Sequence, residues 1–285
     1  MVGNHTLDEI CLKITDGTHS TVKDDSDGNC FLLSAKNIKN GHVCYNTDTD
    51  RKISKETLLF LRNRTRTEIG DVLITTVGTI GEISSVDDDN YEFQRSVALL
   101  KPNPSIITSK FLEYSLKTAE SQLMLENFVS GSVQKCIFLD SIKQLKISVP
   151  GLKIQNKIIN ILSSIDSLIT LNSRINDYLE DIMDCIFSNT ISESDYVELS
   201  SLCSIASGKR PPSKTDVMNR DNNIPLYGAS KIMGWCNGYL YDEPILITGR
   251  VGTHGIVQKS FGKSWPSDNT LVIKTNNYGY VYECL

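Results

Sequence analysis

Val72-Leu73-Ile74-Thr75-Thr76-Val77-Gly78-Thr79-Ile80-Gly81 is an apolar, β-branched run that ends on a glycine turn. It returns in the second half of the chain as Ile245-Leu246-Ile247-Thr248-Gly249-Arg250-Val251-Gly252-Thr253-His254-Gly255, with one residue inserted. Other stretches repeat in the same order. Leu7-Asp8-Glu9-Ile10-Cys11 is echoed by Leu199-Ser200-Ser201-Leu202-Cys203, and Ile14-Thr15-Asp16-Gly17 by Ile205-Ala206-Ser207-Gly208. Val97-Ala98-Leu99-Leu100-Lys101 is echoed by Thr270-Leu271-Val272-Ile273-Lys274. One such match is ordinary between apolar strands, but four in order indicate a duplicated unit. The offset shrinks along the chain, so the second copy is the more compact.

Within a copy the composition predicts strands over 72–77, 80–86 and 96–101. Gly78 and Gly81 supply a tight turn, where glycine accepts positive φ. The period then changes to helical, with Thr108 or Ser109 as cap and Phe111, Leu112, Leu116, Leu123 and Met124 on one face. Residues 143–149 read as a closing strand stopped by Pro150-Gly151. Each copy is therefore mixed α/β with mostly antiparallel strands.

The copies are separated by the strongest local pattern in the chain. Ile154, Ile158, Ile161, Ile165, Leu168, Asn172, Ile175, Leu179, Ile182 and Ile186 follow alternating steps of four and three, an a/d seam. At ~1.5 Å per residue this predicts a helix about 50 Å long that holds two modules apart. Asn172 on the seam favours one register and one partner number. The fold class expected is α+β: two repeated mixed α/β domains, 1–150 and 196–285, separated by a long coiled-coil-forming helix over 151–190.

Composition excludes several classes. The chain has 285 residues and net charge −5, which argues against an indiscriminate polyanion binder. The second copy nevertheless carries nine basic and seven acidic residues. The N-terminus lacks a signal-peptide pattern and no apolar run would span a bilayer, so a soluble cytoplasmic protein is expected. Eight cysteines with no CxxC spacing read as buried reduced thiols rather than a zinc site. Catalytic signatures are weak. Asn103-Pro104-Ser105-Ile106 lacks the second proline and the aromatic of an adenine methyltransferase motif. Gly78-Thr79-Ile80-Gly81 leads into a strand, not the helix a phosphate cradle needs. Asp87-Asp88-Asp89 reads as a solvated turn. No catalytic residue, metal site or cofactor is expected.

Together these stretches resemble the specificity subunits of type I restriction–modification systems. The resemblance rests on Lys13-Ile14-Thr15-Asp16-Gly17-Thr18-His19, on Gly70-Asp71-Val72-Leu73 with Val77-Gly78-Thr79-Ile80-Gly81, and on Gly131-Ser132-Val133-Gln134-Lys135-Cys136-Ile137. The heptad entry at Pro150, Gln155, Ile158, Leu162 and Ile165-Asp166 also fits. The resemblance implies two target-recognition domains that each read half of a split double-stranded DNA target. It implies helices that set the spacer and dock modification (methyltransferase) subunits, and restriction (translocase–nuclease) subunits that join the complex. Catalysis and S-adenosylmethionine would belong to those partners. In the repeat alignment Leu285 matches Leu112, so the second domain reads as incomplete. That raises an alternative: a self-associating half-subunit with little DNA specificity of its own.

Candidate DNA contacts are polar and basic residues on the loops. Thr18 and His19 lie in the first loop. Asn37 has the amide to pair with adenine, and Lys36 a charge for guanine or phosphate. Arg62 and Arg64 form a basic cluster with Arg66, and Gln134 and Lys135 follow Gly131. In the second copy Lys209, Arg210, Lys231, Arg250 and His254 occupy comparable places.

Overall fold

The computed structural model describes residues 3–131, 135–190 and 197–285. The chain forms two compact units, Met1–Ile169 and Thr170–Leu285. In the first, β1 (Gly3–Thr6), α1 (Leu7–Ile10) and β2 (Cys11–Asp16) lead to β3 (Cys30–Leu33), β4 (Ile38–Lys39), β5 (His42–Val43) and β6 (Lys52–Ile53). Next come α2 (Lys55–Thr65), β7 (Val72–Thr75), β8 (Ile83–Ser85), β9 (Tyr91–Phe93) and β10 (Val97–Pro102). Then α3 (Ser109–Leu116), α4 (Ala119–Asn127), α5 (Leu139–Lys143) and β11 (Lys146–Val149) close the module before the long α6 (Leu152–Thr190).

The central sheet runs β2-β10-β7-β8, all antiparallel. Its inner strands are apolar without alternation because both faces are covered. Val72, Ile74, Ala98 and Leu100 pack against Leu7, Ile10, Leu112 and Leu116 from the helices. Leu73, Val97 and Leu99 face Phe31, Tyr91 and Phe93 on the other side. There β3 pairs with β9 in parallel and with β6 antiparallel. The helix expected after residue 109 is two helices, because Thr118 caps a new one by accepting the Ser121 amide at 3.3 Å. The expected closing strand over 143–149 begins with the last residue of α5 and becomes β11 only at Lys146.

In the second unit, α7 (Leu199–Leu202) and β12 (Ser204–Ser207) are followed by β13 (Ile224–Tyr227), β14 (Ile232–Cys236) and β15 (Tyr241–Asp242). Then come β16 (Ile245–Gly249), β17 (Val257–Ser260), β18 (Lys263–Pro266), β19 (Thr270–Lys274) and α8 (Tyr278–Cys284). The sheet β12-β19-β16-β17 has the order of β2-β10-β7-β8, and the parallel pair β13–β18 repeats β3–β9.

The strand registers correct the sequence alignment. Leu100 pairs with Val72 in the first unit, and Ile273 with Leu246 in the second. Val72 therefore matches Leu246, not Ile245. The motif 72–81 maps onto 246–255 with no insertion, placing Gly78 and Gly81 (φ 85° and 87°) on Gly252 and Gly255 (φ 91° and 81°). Sheet parity decides this, since a one-residue slip moves every side chain to the other face. The helices shift too. Buried Val281 of α8 packs on Leu246 and Ile273 as Leu112 packs on Val72 and Leu100, so the match of Leu285 to Leu112 does not hold.

The 39 residues of α6 make a helix of about 58 Å at ~1.5 Å per residue. Ile158 and Ile159 pack on the first module's core. Along the rest of the seam Ile161, Ile165, Leu168, Ile175, Leu179, Ile182 and Ile186 are exposed in the chain, as is Ile154 before them. Ile169, Leu171 and Tyr178 beside them are exposed too, so the apolar face is wider than the a/d line. Gln155 anchors the helix start. Fully buried, it accepts the Thr108 amide (3.0 Å) and donates to the carbonyls of Ile106 and Pro150 (2.8 Å each).

The cysteines depart from expectation. All are free, but only Cys30 and Cys236 are buried, whereas Cys44, Cys185 and Cys284 are exposed. The half-buried Cys11 thiol is pushed up to about 12 by burial and by Asp8 and Asp71, which keeps it unreactive.

Candidate nucleic-acid interface

In each unit the ends of the central strands bring separate loops together. Asp16, Thr75, Val97 and Ile83 lie at one end of the first sheet. Ser207, Gly249, Thr270 and Val257 lie at the same end of the second. The chain crosses closely there. Gly17 donates to Val97 O and Thr18 to Phe93 O; Gly208 donates to Thr270 O and Lys209 to Pro266 O. A Cβ on Gly17 would sit 2.1 Å from Phe93 O, and one on Gly208 2.1 Å from Ser267 O. Only glycine fits this crossing. The equivalences place Thr18 with Lys209, His19 with Arg210 and Thr76 with Arg250.

A further repeat adjoins this end. Leu33-Ser34-Ala35-Lys36-Asn37-Ile38 matches Tyr227-Gly228-Ala229-Ser230-Lys231-Ile232, because Gln94 donates to Leu33 O as Ser267 donates to Tyr227 O. The Ala35 amide reaches Ser96 Oγ at 3.0 Å, and Gln258 Nε2 reaches Gly228 O at 2.8 Å. The short "Ala-x-x-Ile" signal was visible in the sequence, but it is too brief to recognise without the strand pairing.

The first unit's candidates fall into three groups. Thr18 and His19 sit on the crossing loop, and Arg64 joins them from α2. Arg64 Nη2 reaches Asp16 Oδ1 at 2.6 Å, while Nη1 donates to the carbonyls of Asp16 (3.0 Å) and Gly17 (2.6 Å). His19 Nε2 lies 2.5 Å from Asp16 Oδ2, and the Lys13 ammonium donates to Arg64 O. Lys36 is exposed but paired with Asp50 Oδ1 at 2.7 Å, and that bond holds the Asp50 carboxyl below the usual carboxylate range. Lys135 is exposed. Gln134 lies outside the described residues.

Two candidates are corrected. Asn37 is buried and its amide is committed: it accepts from Ser34 N (3.0 Å) and donates to Cys44 O and Asp50 Oδ2 (3.1 Å each). It shapes its own loop and has no donor left for adenine. Arg62 turns inward, donating to Tyr91 O at 3.3 Å with Nε 4.0 Å from the buried Glu92 carboxylate. It sits beside a carboxyl that burial pushes above the usual carboxylate range, and it faces the interior rather than a ligand. The sequence placed it beside Arg64 because helix phase could not be read for such short, weakly amphipathic α2. Sequence reasoning also missed Arg95, which is exposed and whose amide donates to Thr18 O at 3.0 Å.

The second unit differs in charge state. Lys209, Arg210, Lys231, Arg250 and His254 are all exposed. Among the described residues none of them forms an ion pair, and the unit's ion pairs use Lys214, Lys259 and Lys274 instead. Ser207 replaces the organising Asp16, and its hydroxyl lies 3.5 Å from Arg250 Nη1. Unpaired cations on loops beside close-packed backbone suit a polyanion. Among the described residues no group of three His, Cys, Asp or Glu side chains could hold a metal ion, and no helix is long and apolar enough to cross a membrane.

Tandem copies of one scaffold, each presenting a different set of polar loops from the same sheet end, define a duplicated, two-module protein. The chain belongs to the family of type I restriction modification DNA specificity domains, whose model matches residues 3–181. It is 31% identical over 134 residues to the type I restriction enzyme HindI specificity subunit of Haemophilus influenzae, covering 45% of this chain and 29% of that one. It is 31% identical over 137 residues to the EcoBI specificity subunit of Escherichia coli, covering 48% of this chain and 28% of that one. The matched stretch thus spans less than a third of these relatives. The fold is similar to the crystal structure of the type I restriction–modification S subunit from M. genitalium, with TM-score 0.57 at 18% identity over the whole of this chain and 76% of that one.

Proposed function

We propose that this chain directs a type I restriction–modification complex to a bipartite double-stranded DNA target, with domains 1–150 and 196–285 each reading one half and the helix over 151–190 setting their spacing. The observation that carries the reading is the equivalent loop cluster at one sheet end of each module, studded with cations in the second. Thr18, His19, Lys36, Arg64, Gln134 and Lys135 would supply contacts from the first module, and Lys209, Arg210, Lys231, Arg250 and His254 from the second. The modification and restriction subunits of such a complex would carry the methylation and the ATP-driven cleavage, leaving this chain non-catalytic, in the bacterial cytoplasm. The test is a gel shift of the chain with its modification subunit on random and selected duplexes across a salt series. Sequence-selective binding that weakens with salt is expected; indifference to sequence contradicts the reading.

The exposed seam of α6 favours a second reading, self-association through that helix, in which two first modules would form a symmetric reader. A contiguous apolar face of this kind marks an interaction surface. Sedimentation at micromolar concentration discriminates: dimers support it and a clean monomer contradicts it.

A further inference from the structure

The loop Asp16-Gly17-Thr18-His19 fixes more than a position. Asp16 Oδ1 is taken by Arg64, and Oδ2 faces His19 Nε2 at 2.5 Å. A carboxylate accepts hydrogen bonds and cannot donate, so Nε2 must carry the hydrogen. In the neutral ring the other nitrogen, Nδ1, is then a bare acceptor. The ring is more than half exposed, and among the described residues Nδ1 has no hydrogen-bond partner. The loop beneath is immobilised by the Gly17 crossing and by Arg64, which grips both carbonyls. The structure therefore presents a pre-oriented acceptor at the sheet end, where the second module has Ser207 and the donor-only Arg210.

We propose that Asp16 is a positioning residue that selects the His19 tautomer, so that Nδ1 reads the exocyclic amino group of an adenine or cytosine in the major groove. That edge offers a hydrogen-bond donor at adenine N6 or cytosine N4, whereas guanine O6 and thymine O4 are acceptors and repel a second acceptor. The equivalent place in the second module offers donors only and favours keto bases or phosphate. The inference rests on the DNA-reading function proposed above.

The substitution Asp16→Asn tests it by reversal. The side-chain oxygen stays with Arg64, and the amide NH2 then donates to His19 Nε2, which sends the ring hydrogen to Nδ1. Nitrogen-15 NMR of the full chain at pH 8 should show an Nε2–H ring in the wild type and an Nδ1–H ring in Asp16→Asn. Selection from a random duplex library, with the modification subunit present, should show one position changing from an amino to a keto base by roughly tenfold. His19→Ala should lose preference at that position alone, with the salt dependence of binding unchanged. A wild-type ring that is doubly protonated, or protonated at Nδ1, overturns the inference without reference to DNA. A correct tautomer with unchanged base preference in both variants overturns the base-reading role but leaves the proposed function standing. Absence of any sequence preference in the wild type sinks the proposed function itself.

Discussion

Replacing Gln155 should detach the start of α6 from the first module. Its side chain is fully buried and makes four hydrogen bonds, two accepted from the Thr108 amide and hydroxyl and two donated to the carbonyls of Ile106 and Pro150. Gln155→Met keeps much of the volume and removes all four. One amide and two carbonyls at buried or part-buried positions then lose that partner. At about 1 kcal/mol for each orphaned group, the low end for such groups, the cost is about 3 kcal/mol. That is roughly a 150-fold shift toward the unfolded first unit. Gln155→Ala adds a cavity and should cost more. Urea unfolding followed by hydrogen exchange at the Thr108 amide reads the effect locally, since that amide loses its acceptor. If Gln155→Met stays within about 1 kcal/mol of wild type and Thr108 stays protected, the anchoring argument fails.

Three other outcomes follow from the geometry. Gly17→Ala should destabilise the first unit by about 1–3 kcal/mol in thermal or urea melts, because its Cβ has no room beside Phe93 O, while Gly78→Ala, with open space around it, should cost about 1 kcal/mol of backbone strain alone. Glu113 is buried, and burial pushes its carboxyl up, but bonds from Lys117 (2.6 Å), Ser85 (2.7 Å) and Lys110 (3.0 Å) outweigh burial and hold it below the ordinary range. With the folded value depressed, its contribution is present above the unfolded carboxylate value and is lost as pH falls through the folded one. Glu113→Gln should therefore cost about 1–3 kcal/mol at pH 7, reduced from a fully buried pair because both lysines are partly exposed, and the gap to wild type should close in acid melts. Lys209→Ala with Arg210→Ala should lower the slope of log affinity against log salt by about 2 if both cations meet phosphate, and an unchanged slope excludes that contact.

The charge contrast between the modules explains why this last variant is informative. In the first module the candidate side chains already have carboxylate partners: Asp16 holds Arg64 and accepts from His19, and Asp50 holds Lys36. Those side chains are oriented by the protein itself. In the second module Lys209, Arg210, Lys231 and Arg250 lack carboxylate partners among the described residues, so their charge is available to an incoming ligand.

Duplication, the mixed fold and the long helix were all legible in the sequence. Each depends on local periodicity or on a repeated string, and both survive in one dimension: the heptad steps of 154–186, the glycines at 78 and 81, and the run 97–101. The strand pairing was not legible. Two apolar runs that differ by one residue in register look alike as text, yet they bury opposite faces. Only the contact of Leu246 with Ile273 and Val281 showed that the repeat has no insertion. The fate of individual polar residues was hidden for the same reason. Asn37 and Lys36 are neighbours in sequence, but the loop that brings Asp50 to both buries one amide and leaves the other side chain exposed. Local sequence thus determined that two copies of one module flank a helix along the chain. Tertiary packing decided which loop atoms remain free, because hydrogen-bond capacity is allotted by whatever the fold brings within 3 Å.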